Sequence, residues 1–282
     1  MTPGIGFALA AMICFGLGDL IYKRAAAAGV PSRPFIMMQS WLYCPGITLY
    51  AWLTGTLHPD AAAAWGALAG VFSLSAFYNF ARSLQDGAVS TNAPIFRLNF
   101  TITAALAIVL LGETLTLPKG LALLCALAAV WLLLAESGGE RKRSTRTSLV
   151  RVVIATLSLG LANIVLKTGL RYGAVPETLI ATQAWAFSSL ATIFNFLPER
   201  RLDVPSRGWR YSAPAAVVLV SAFVLLAHGL ARGPASVLVP VAQMSFVFTA
   251  LLGAALFHEA LNMRKIAGLA VAVAALALFA VS

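Results

Sequence analysis

Apolar runs of about twenty residues, separated by short polar segments, occupy most of this chain of 282 residues. The hydrocarbon core of a bilayer is about 30 Å thick, so a helix needs about 20 apolar residues to cross it. Only 11% of the residues are charged, whereas soluble domains carry about 25%. The chain is therefore predicted to be a multi-pass protein of the cell (inner) membrane and not a soluble, coiled-coil or disordered protein. Ten runs have the required length: Gly4–Tyr22, Phe35–Leu57, Ala62–Leu84, Ala88–Leu111, Pro118–Ala135, Leu149–Gly169, Thr178–Leu197, Ser212–Leu230, Ala235–Leu256 and Lys265–Val281.

A basic linker at residues 136–148 separates the ten runs into two sets of five. We expect a first repeat at residues 1–135 and a second at residues 149–282, because the two sets are similar in sequence. The segment GLGDLIYK (Gly16–Lys23) aligns with GLANIVLK (Gly160–Lys167) at an offset of 144 residues. Residue types that chance rarely aligns also match, at an offset of 144 or 146: Gln39/Gln183, Trp41/Trp185, Pro94/Pro240, Glu113/Glu259 and Lys119/Lys265.

The odd number of spans in each repeat has a topological consequence. The second repeat must enter the membrane from the side opposite to the first, so a pseudo-two-fold axis in the membrane plane relates the two. This arrangement is typical of secondary transporters, whose substrate site lies near mid-membrane between the repeats. We therefore expect an all-α integral membrane protein with ten transmembrane helices, arranged as two inverted five-helix repeats around a central cavity.

The paired motifs resemble those of the drug/metabolite transporter superfamily, EamA-type. The resemblance rests on GLGDLIYK and GLANIVLK, on the paired prolines in the fourth run of each repeat, and on Glu113 and Glu259 before each fifth run. It covers essentially the whole chain and implies transport of small metabolites, such as amino acids, sugars, nucleotide sugars, amines or drugs. Asp19 departs from the family pattern, in which the residue after Gly18 is more often apolar.

The basic residues indicate an orientation that differs from the habit of the resembled family. Segments after odd-numbered runs hold fifteen Lys and Arg residues, and segments after even-numbered runs hold four. The positive-inside rule puts the richer segments in the cytoplasm and both termini outside. Members of the resembled family usually have cytoplasmic termini, so both orientations stay open at this point.

Arg97 lies near the middle of the fourth run, where a charge costs about 2.5–3.5 kcal/mol on insertion scales. Pro94, Arg97 and Thr101 share one face of a helix that the proline bends. Pro240 and Gln243 are the equivalents of the first two in the second repeat. We expect both prolines to act as helix hinges, and Arg97 to face Gln243 across the cavity and bind a substrate carboxylate or phosphate.

The alternative interpretation of Arg97 is structural, namely pairing with Asp19 or capping of carbonyls that Pro94 frees. Asp19 is the only carboxylate well inside an apolar run. It precedes Lys23 by four residues, so a local ion pair is one interpretation. The other is that Asp19 binds a substrate ammonium or carries a coupling proton, as intramembrane carboxylates do in transporters. Together, Asp19 and Arg97 would hold the two ends of a zwitterion.

Polar and aromatic side chains in other runs are further substrate-binding candidates, namely Gln39, Tyr43, Tyr78 and Gln183. Glu113 and Glu259 are expected to cap the helices that they open, because a carboxylate accepts hydrogen bonds from first-turn amides. The GxxxG pattern of Gly66 and Gly70 permits close helix packing and is a weak indication of a homodimer.

These features favour a secondary transporter of a small metabolite, with an amino acid or related zwitterion as substrate and export as direction. The histidines and cysteines lack ligand spacing, so neither a metal nor a cofactor is predicted, and no catalytic residue is assigned. The basic residues lie in loops, which favours membrane orientation over nucleic-acid binding. The expected partners are the small-molecule substrate, the lipid bilayer and, weakly, a second copy of the chain. The alternatives are an integral-membrane enzyme, or a channel or receptor without coupled transport.

Overall fold

The computed structural model describes residues 2–86, 89–134, 145–197, 202, 204–248, 251–252 and 263–282. This part of the chain is helical and contains no strand. Its helices, in chain order, are α1 (Ile5–Ala27), α2 (Ser32–Leu53), α3 (Ala64–Asp86), α4 (Val89–Arg97), α5 (Asn99–Leu111), α6 (Leu117–Leu134), α7 (Arg146–Arg171), α8 (Pro176–Phe196), α9 (Trp209–Arg232), α10 (Ala235–Gln243) and α11 (Met263–Val281).

The described helices make ten spans in two five-helix repeats, which confirms the predicted fold class. In the first repeat α1, α2, α3 and α6 each form one span, and α4 and α5 together form the fourth. In the second repeat α7, α8, α9 and α11 correspond to them, and α10 with helical residues 245–248 and 251–252 forms the ninth. Within the described residues, five helical stretches are long and apolar enough to cross a membrane alone, and they include α1, α3, α7, α9 and α11.

The start and end of several helices follow from local chemistry. Thr145 is the N-cap of α7, because its side chain accepts a hydrogen bond from the Ser148 amide at 3.1 Å. The helix therefore begins at Arg146, three residues before the predicted run. Pro176 is the first residue of α8. Its missing amide hydrogen costs nothing there, because the first amides of a helix have no hydrogen-bond partner within the helix. Gly112 follows α5 with φ +68°, a left-handed conformation that stops the helix.

The fourth and ninth spans are interrupted at equivalent positions. A turn at Leu98 separates α4 from α5, and a turn at Met244 ends α10. The two residues are 146 apart, so they correspond in the repeats, and each lies four residues after the proline of its span. The sequence predicted one bent helix in each place, whereas the structure has two shorter helices in the fourth span, because hydrogen bonds to residue i−3 tighten the turn. The role of Pro94 and Pro240 as hinges stays a prediction.

Contacts between helices repeat when the two halves are exchanged. In the first half α3 packs against α7 and α8, and in the second half the equivalent α9 packs against α1 and α2. The same exchange relates two hydrogen bonds between α2 and α8. Trp41 Nε1 donates to Thr192 Oγ1 at 2.8 Å, and Trp185 Nε1 donates to Thr48 Oγ1 at 3.1 Å. The repeats are therefore related by a pseudo-two-fold axis that passes between α2 and α8.

The two ends of the bundle differ in charge. Thr2 Oγ1 donates to the Ser282 carbonyl at 2.7 Å, and Gly4 lies against Gly229 near the end of α9. We call this end, which also holds the start of α8 and α10, the terminus end. The opposite end, which we call the arginine end, carries the segments after the odd-numbered spans, where the sequence concentrates its basic residues. Which end faces the cytoplasm stays a prediction.

The GxxxG pattern of α3 lies in a contact between two helices of the same chain. A Cβ added to Gly70 would lie 2.5 Å from the Gln183 carbonyl oxygen, and one added to Gly66 would overlap the Leu179 carbonyl oxygen. Both glycines therefore bring the backbone of α3 close to that of α8. Gly268 does the same for α11, since its Cβ would lie 2.8 Å from Leu133 in α6. These small residues thus give no indication of a homodimer.

Substitution of Gly66 by alanine is expected to destabilise the protein, because the backbone of α8 leaves no space for the added methyl group. Overpacking of this kind costs about 1–3 kcal/mol, so the melting temperature in detergent should fall by about 5 °C. Gly6→Ala is the matched control, since nothing lies within 4 Å of a Cβ at that helical position. Equal melting temperatures of the two variants would contradict the close α3–α8 contact.

Candidate functional site

Three elements from both repeats meet at an ion pair. Asp19 on α1 accepts a hydrogen bond from Arg97, the last residue of α4, with 2.8 Å between Oδ2 and Nη2. Ser245, after the break in the ninth span, donates its hydroxyl to Asp19 Oδ2 at 3.1 Å. Arg97 Nη1 in turn donates to Ser245 Oγ at 3.3 Å. The three side chains therefore form a closed polar cluster. We call Asp19 and Arg97 the central pair, and all three residues the central pair with its serine.

The interrupted spans place these side chains. Arg97 immediately precedes the turn at Leu98, and Ser245 immediately follows the turn at Met244. Gly16 allows α1 to reach them, because a Cβ at Gly16 would lie 2.7 Å from the Phe248 ring and 3.1 Å from the Ser245 carbonyl oxygen. The glycine of the GLGD motif thus brings α1 against the ninth span one turn before Asp19.

The central pair is only partly buried. The side chain of Asp19 keeps 35% of its surface accessible, and that of Arg97 keeps 21%, whereas Ser245 is fully buried. A buried charge is tolerated only when it is paired or solvated. Here both conditions are met, so the two charges can exist inside the bundle and still be reached by a small polar molecule.

This geometry contains the ion pair that the structural interpretation of Arg97 predicted, and the role of Arg97 in substrate binding stays a prediction. Arg97 pairs with Asp19, which was the structural alternative, and it bonds Ser245, two residues beyond Gln243. Gln243 itself is the last residue of α10 and is half-buried. The predicted local pair of Asp19 with Lys23 concerns a side chain that lies outside the described residues.

In the other half of the protein, the equivalent pair of spans approaches as closely but without charged residues. We call each of these two close approaches a crossing. Asn163 is the equivalent of Asp19 in GLANIVLK, and its Nδ2 donates to Thr103 Oγ1 on α5 at 3.2 Å. Gly160 again permits the approach, since its Cβ would lie 2.7 Å from Ile102 and 3.4 Å from the Asn99 carbonyl oxygen. Asn99 is the equivalent of Ser245. Sequence reasoning missed Asn163 and Ser245. The offset of 144 residues leads from Asp19 to Asn163, whereas Ser245 corresponds to Asn99, which was not a candidate.

The two predicted glutamines take different partners. Gln39 on α2 accepts a hydrogen bond from the hydroxyl of Tyr22, one turn beyond Asp19 on α1. Gln183 on α8 donates to Ser73 Oγ on α3 at 3.0 Å. Its Oε1 atom is buried and has no hydrogen-bond partner in the part of the chain that the structure describes. Gln39 is therefore near the central pair through α1, whereas Gln183 joins α8 to α3.

The remaining candidates, Tyr43, Tyr78 and Thr101, have other surroundings in the structure. The ring of Tyr43 packs edge-on against Phe223 with centroids 6.0 Å apart, and the ring of Tyr78 packs against Phe194 at 5.7 Å. The hydroxyl of Thr101 is buried and has no partner among the described residues. No described hydrogen bond joins any of these three to Asp19 or Arg97, so their role in substrate binding stays a prediction.

Glu113 caps a helix, but not the one that was expected. Its carboxylate accepts hydrogen bonds from the Ala235 and Ser236 amides, at 2.7 Å and 2.9 Å. These amides belong to the first turn of α10, so the cap is made to the second repeat and not to α6, which Glu113 precedes. The positive end of the α10 dipole explains the attraction. The equivalent Glu259 lies outside the described residues.

Comparisons with known proteins agree with this architecture. The model of the EamA-like transporter family matches residues 2–135 and again residues 147–281. One solved crystal structure of a protein superposes with a TM-score of 0.82 at 16% sequence identity, covering 98% of this chain and 95% of that chain. An identity this low supports a common fold and nothing further. A comparison with curated proteins finds no match.

Substitutions of the two residues of the central pair should have coupled effects on the stability of the protein. We expect Asp19→Asn and Arg97→Gln each to lower the free energy of unfolding by about 1–3 kcal/mol, less than for a fully buried pair because both side chains are partly accessible. The double variant should lose less than the sum, since removing one charge leaves the other unpaired. Thermal unfolding in detergent measures this cycle. Strictly additive losses would contradict a direct pair.

Proposed function

We propose that this chain, which belongs to the EamA-like transporter family, is a secondary transporter. It moves a small metabolite across the membrane by alternating access. The observation that supports this most directly is the central pair with its serine. It joins α1 and α4 of the first repeat to the ninth span of the second, at the interruptions of both broken spans. A substrate that binds there contacts both repeats, so it can bias their relative arrangement.

We propose a zwitterion, and an amino acid in particular, as the substrate. Asp19 and Arg97 neutralise each other at 2.8 Å. A zwitterion carries the same two charges, so its carboxylate can replace Asp19 on Arg97 while its ammonium replaces Arg97 on Asp19. Neither charge is left unpaired in that exchange, which avoids the large cost of an isolated buried ion. A substrate with a single charge would leave one of the two residues without a partner.

Export is the direction that we propose. At the terminus end Glu177 on α8 is hydrogen-bonded to His228 on α9, with 2.7 Å between Oε1 and Nε2. Lys167 on α7 donates to the Gly233 carbonyl oxygen after α9 at 2.7 Å. These contacts join α7, α8 and α9 at the terminus end, which supports loading from the arginine end. The positive-inside rule assigns the arginine end to the cytoplasm, and loading from the cytoplasm is the first step of export.

Replacement of Arg97 should remove transport of a zwitterion. Counterflow of radiolabelled amino acids in liposomes separates a carrier from an enzyme, a channel or a receptor, because only a carrier exchanges labelled for unlabelled substrate without net drive. We expect Arg97→Gln to lower the counterflow rate at least about tenfold, as loss of a charged hydrogen bond costs about 1.5–3 kcal/mol. Arg207→Gln is the control, since Arg207 is exposed in the segment before α9. Equal rates in the two variants would refute the site, and wild-type protein without counterflow would refute the function.

The proposed coupling role of Asp19 needs a separate measurement. If Asp19 carries the coupling proton, the Asp19→Asn variant should still exchange substrate in counterflow but should no longer accumulate it in response to an imposed pH gradient. If Asp19 only binds the substrate ammonium, both activities should fall together. Accumulation that remains as strongly pH-driven as in the wild type would exclude the coupling role.

A further inference from the structure

The two crossings bring equivalent helices together in the same register. Gly16 lies against the Ser245 carbonyl oxygen, and Gly160 lies against the Asn99 carbonyl oxygen. Residues 16 and 160 correspond at the offset of 144, and residues 99 and 245 correspond at the offset of 146. Because the backbones match, each hydrogen bond of the central pair with its serine has an equivalent set of atoms at the other crossing.

The bond equivalent to that between Arg97 and Ser245 is not made. Arg97 corresponds to Gln243, the last residue of α10, and α10 packs against α5. None of the described residues is hydrogen-bonded to the Gln243 side chain. Ser245 corresponds to Asn99, which is fully buried. Its Oδ1 atom has no hydrogen-bond partner in the part of the chain that the structure describes.

The residue equivalent to Asp19 also has an unused acceptor. Asn163 donates from Nδ2 to Thr103 Oγ1, and no described residue donates to its Oδ1 atom. A buried acceptor without a donor is costly, so this arrangement favours any state that supplies one. A glutamine amide has two N–H groups. One Gln243 side chain can therefore donate to Asn99 and Asn163 together, as the guanidinium does in the central pair with its serine.

We propose that Gln243 donates to Asn99 Oδ1 and Asn163 Oδ1 in the opposite-facing state of the protein, and that the central pair is separated in that state. We call these three residues the amide cluster. The inference rests on the proposed alternating access, in which the two inverted repeats exchange their conformations. Contacts that one half makes in one state are then made by the other half in the next. The present structure has the charged cluster formed and the amide cluster unformed.

Moving the charges from one cluster to the other tests the proposal. Asn163→Asp and Gln243→Arg each introduce one unpaired charge inside the bundle, so each alone should lower the melting temperature in detergent by about 5 °C. The double variant should recover most of this loss, because the new carboxylate and guanidinium pair with each other. Gln183→Arg is the matched control, since the Gln183 amide donates to Ser73 on α3. Combined with Asn163→Asp, it should give no recovery.

A second comparison shows whether the two clusters exclude each other. The variant Asp19→Asn/Arg97→Gln should have a lower melting temperature than the wild type. The same two changes should have little effect in the Asn163→Asp/Gln243→Arg background, because the central pair is already separated there. Equal losses in the two backgrounds, or no recovery in the double variant, would overturn the proposal.

Gln243→Leu keeps the proposal testable if the charged variants do not fold. It should not lower the melting temperature, because the Gln243 amide is bonded to none of the described residues. It should lower the counterflow rate about fivefold, since the opposite-facing state loses a hydrogen bond. A wild-type counterflow rate in this variant would contradict the amide cluster. Absence of counterflow in the wild type would refute the function, whereas the melting temperatures measure the amide cluster separately.

Discussion

A guanidinium inside a membrane span is stable only when other groups replace the water that it loses, and the centre of this protein is arranged around that requirement. Arg97 receives a carboxylate from α1 and a hydroxyl from the ninth span. To supply them, α1 must come close enough for Gly16 to touch the Phe248 ring. The helices on either side must also stop, at Leu98 and at Met244, so that side chains reach across. One charge thus fixes the relative positions of three elements from two repeats.

Both crossings have the same close helix packing, but only the one at Asp19 and Arg97 contains charged side chains. The equivalent crossing of α7 and α5 has an amide and a hydroxyl, and its residues are more deeply buried: Asn163, Thr103 and Asn99. Gly16 and Gly160 allow the same close packing at both crossings, whereas the polarity differs. The charged crossing is also the more accessible of the two, since the side chains of Asp19 and Arg97 keep 35% and 21% of their surface exposed.

Much of the fold follows from patterns that the sequence carries locally. The length of the apolar runs predicts the spans, because lipid requires every backbone group to be satisfied within a helix. The matching residues at a constant offset predict the repeats. Partners across the fold do not follow in the same way. Asp19 has Lys23 one turn away and Arg97 on another span, and local spacing favours the former. Glu113 caps α10 and not the helix beside it, because an N-terminal dipole attracts a carboxylate equally well from any part of the chain.

The pairing of α2 with α8 is one of the contacts that hold the two repeats together. Both helices carry polar side chains in their shared contact, where Ser40 and Ser188 also bond at 3.1 Å. Hydroxyl bonds of this kind contribute about 1 kcal/mol each. The terminus end is held by bonds to charged groups, such as Glu177 with His228, which contribute about 1.5–3 kcal/mol each. Breaking the bond between Glu177 and His228 therefore costs more than breaking one hydroxyl bond between α2 and α8, so the terminus end is held more firmly than this part of the α2–α8 contact.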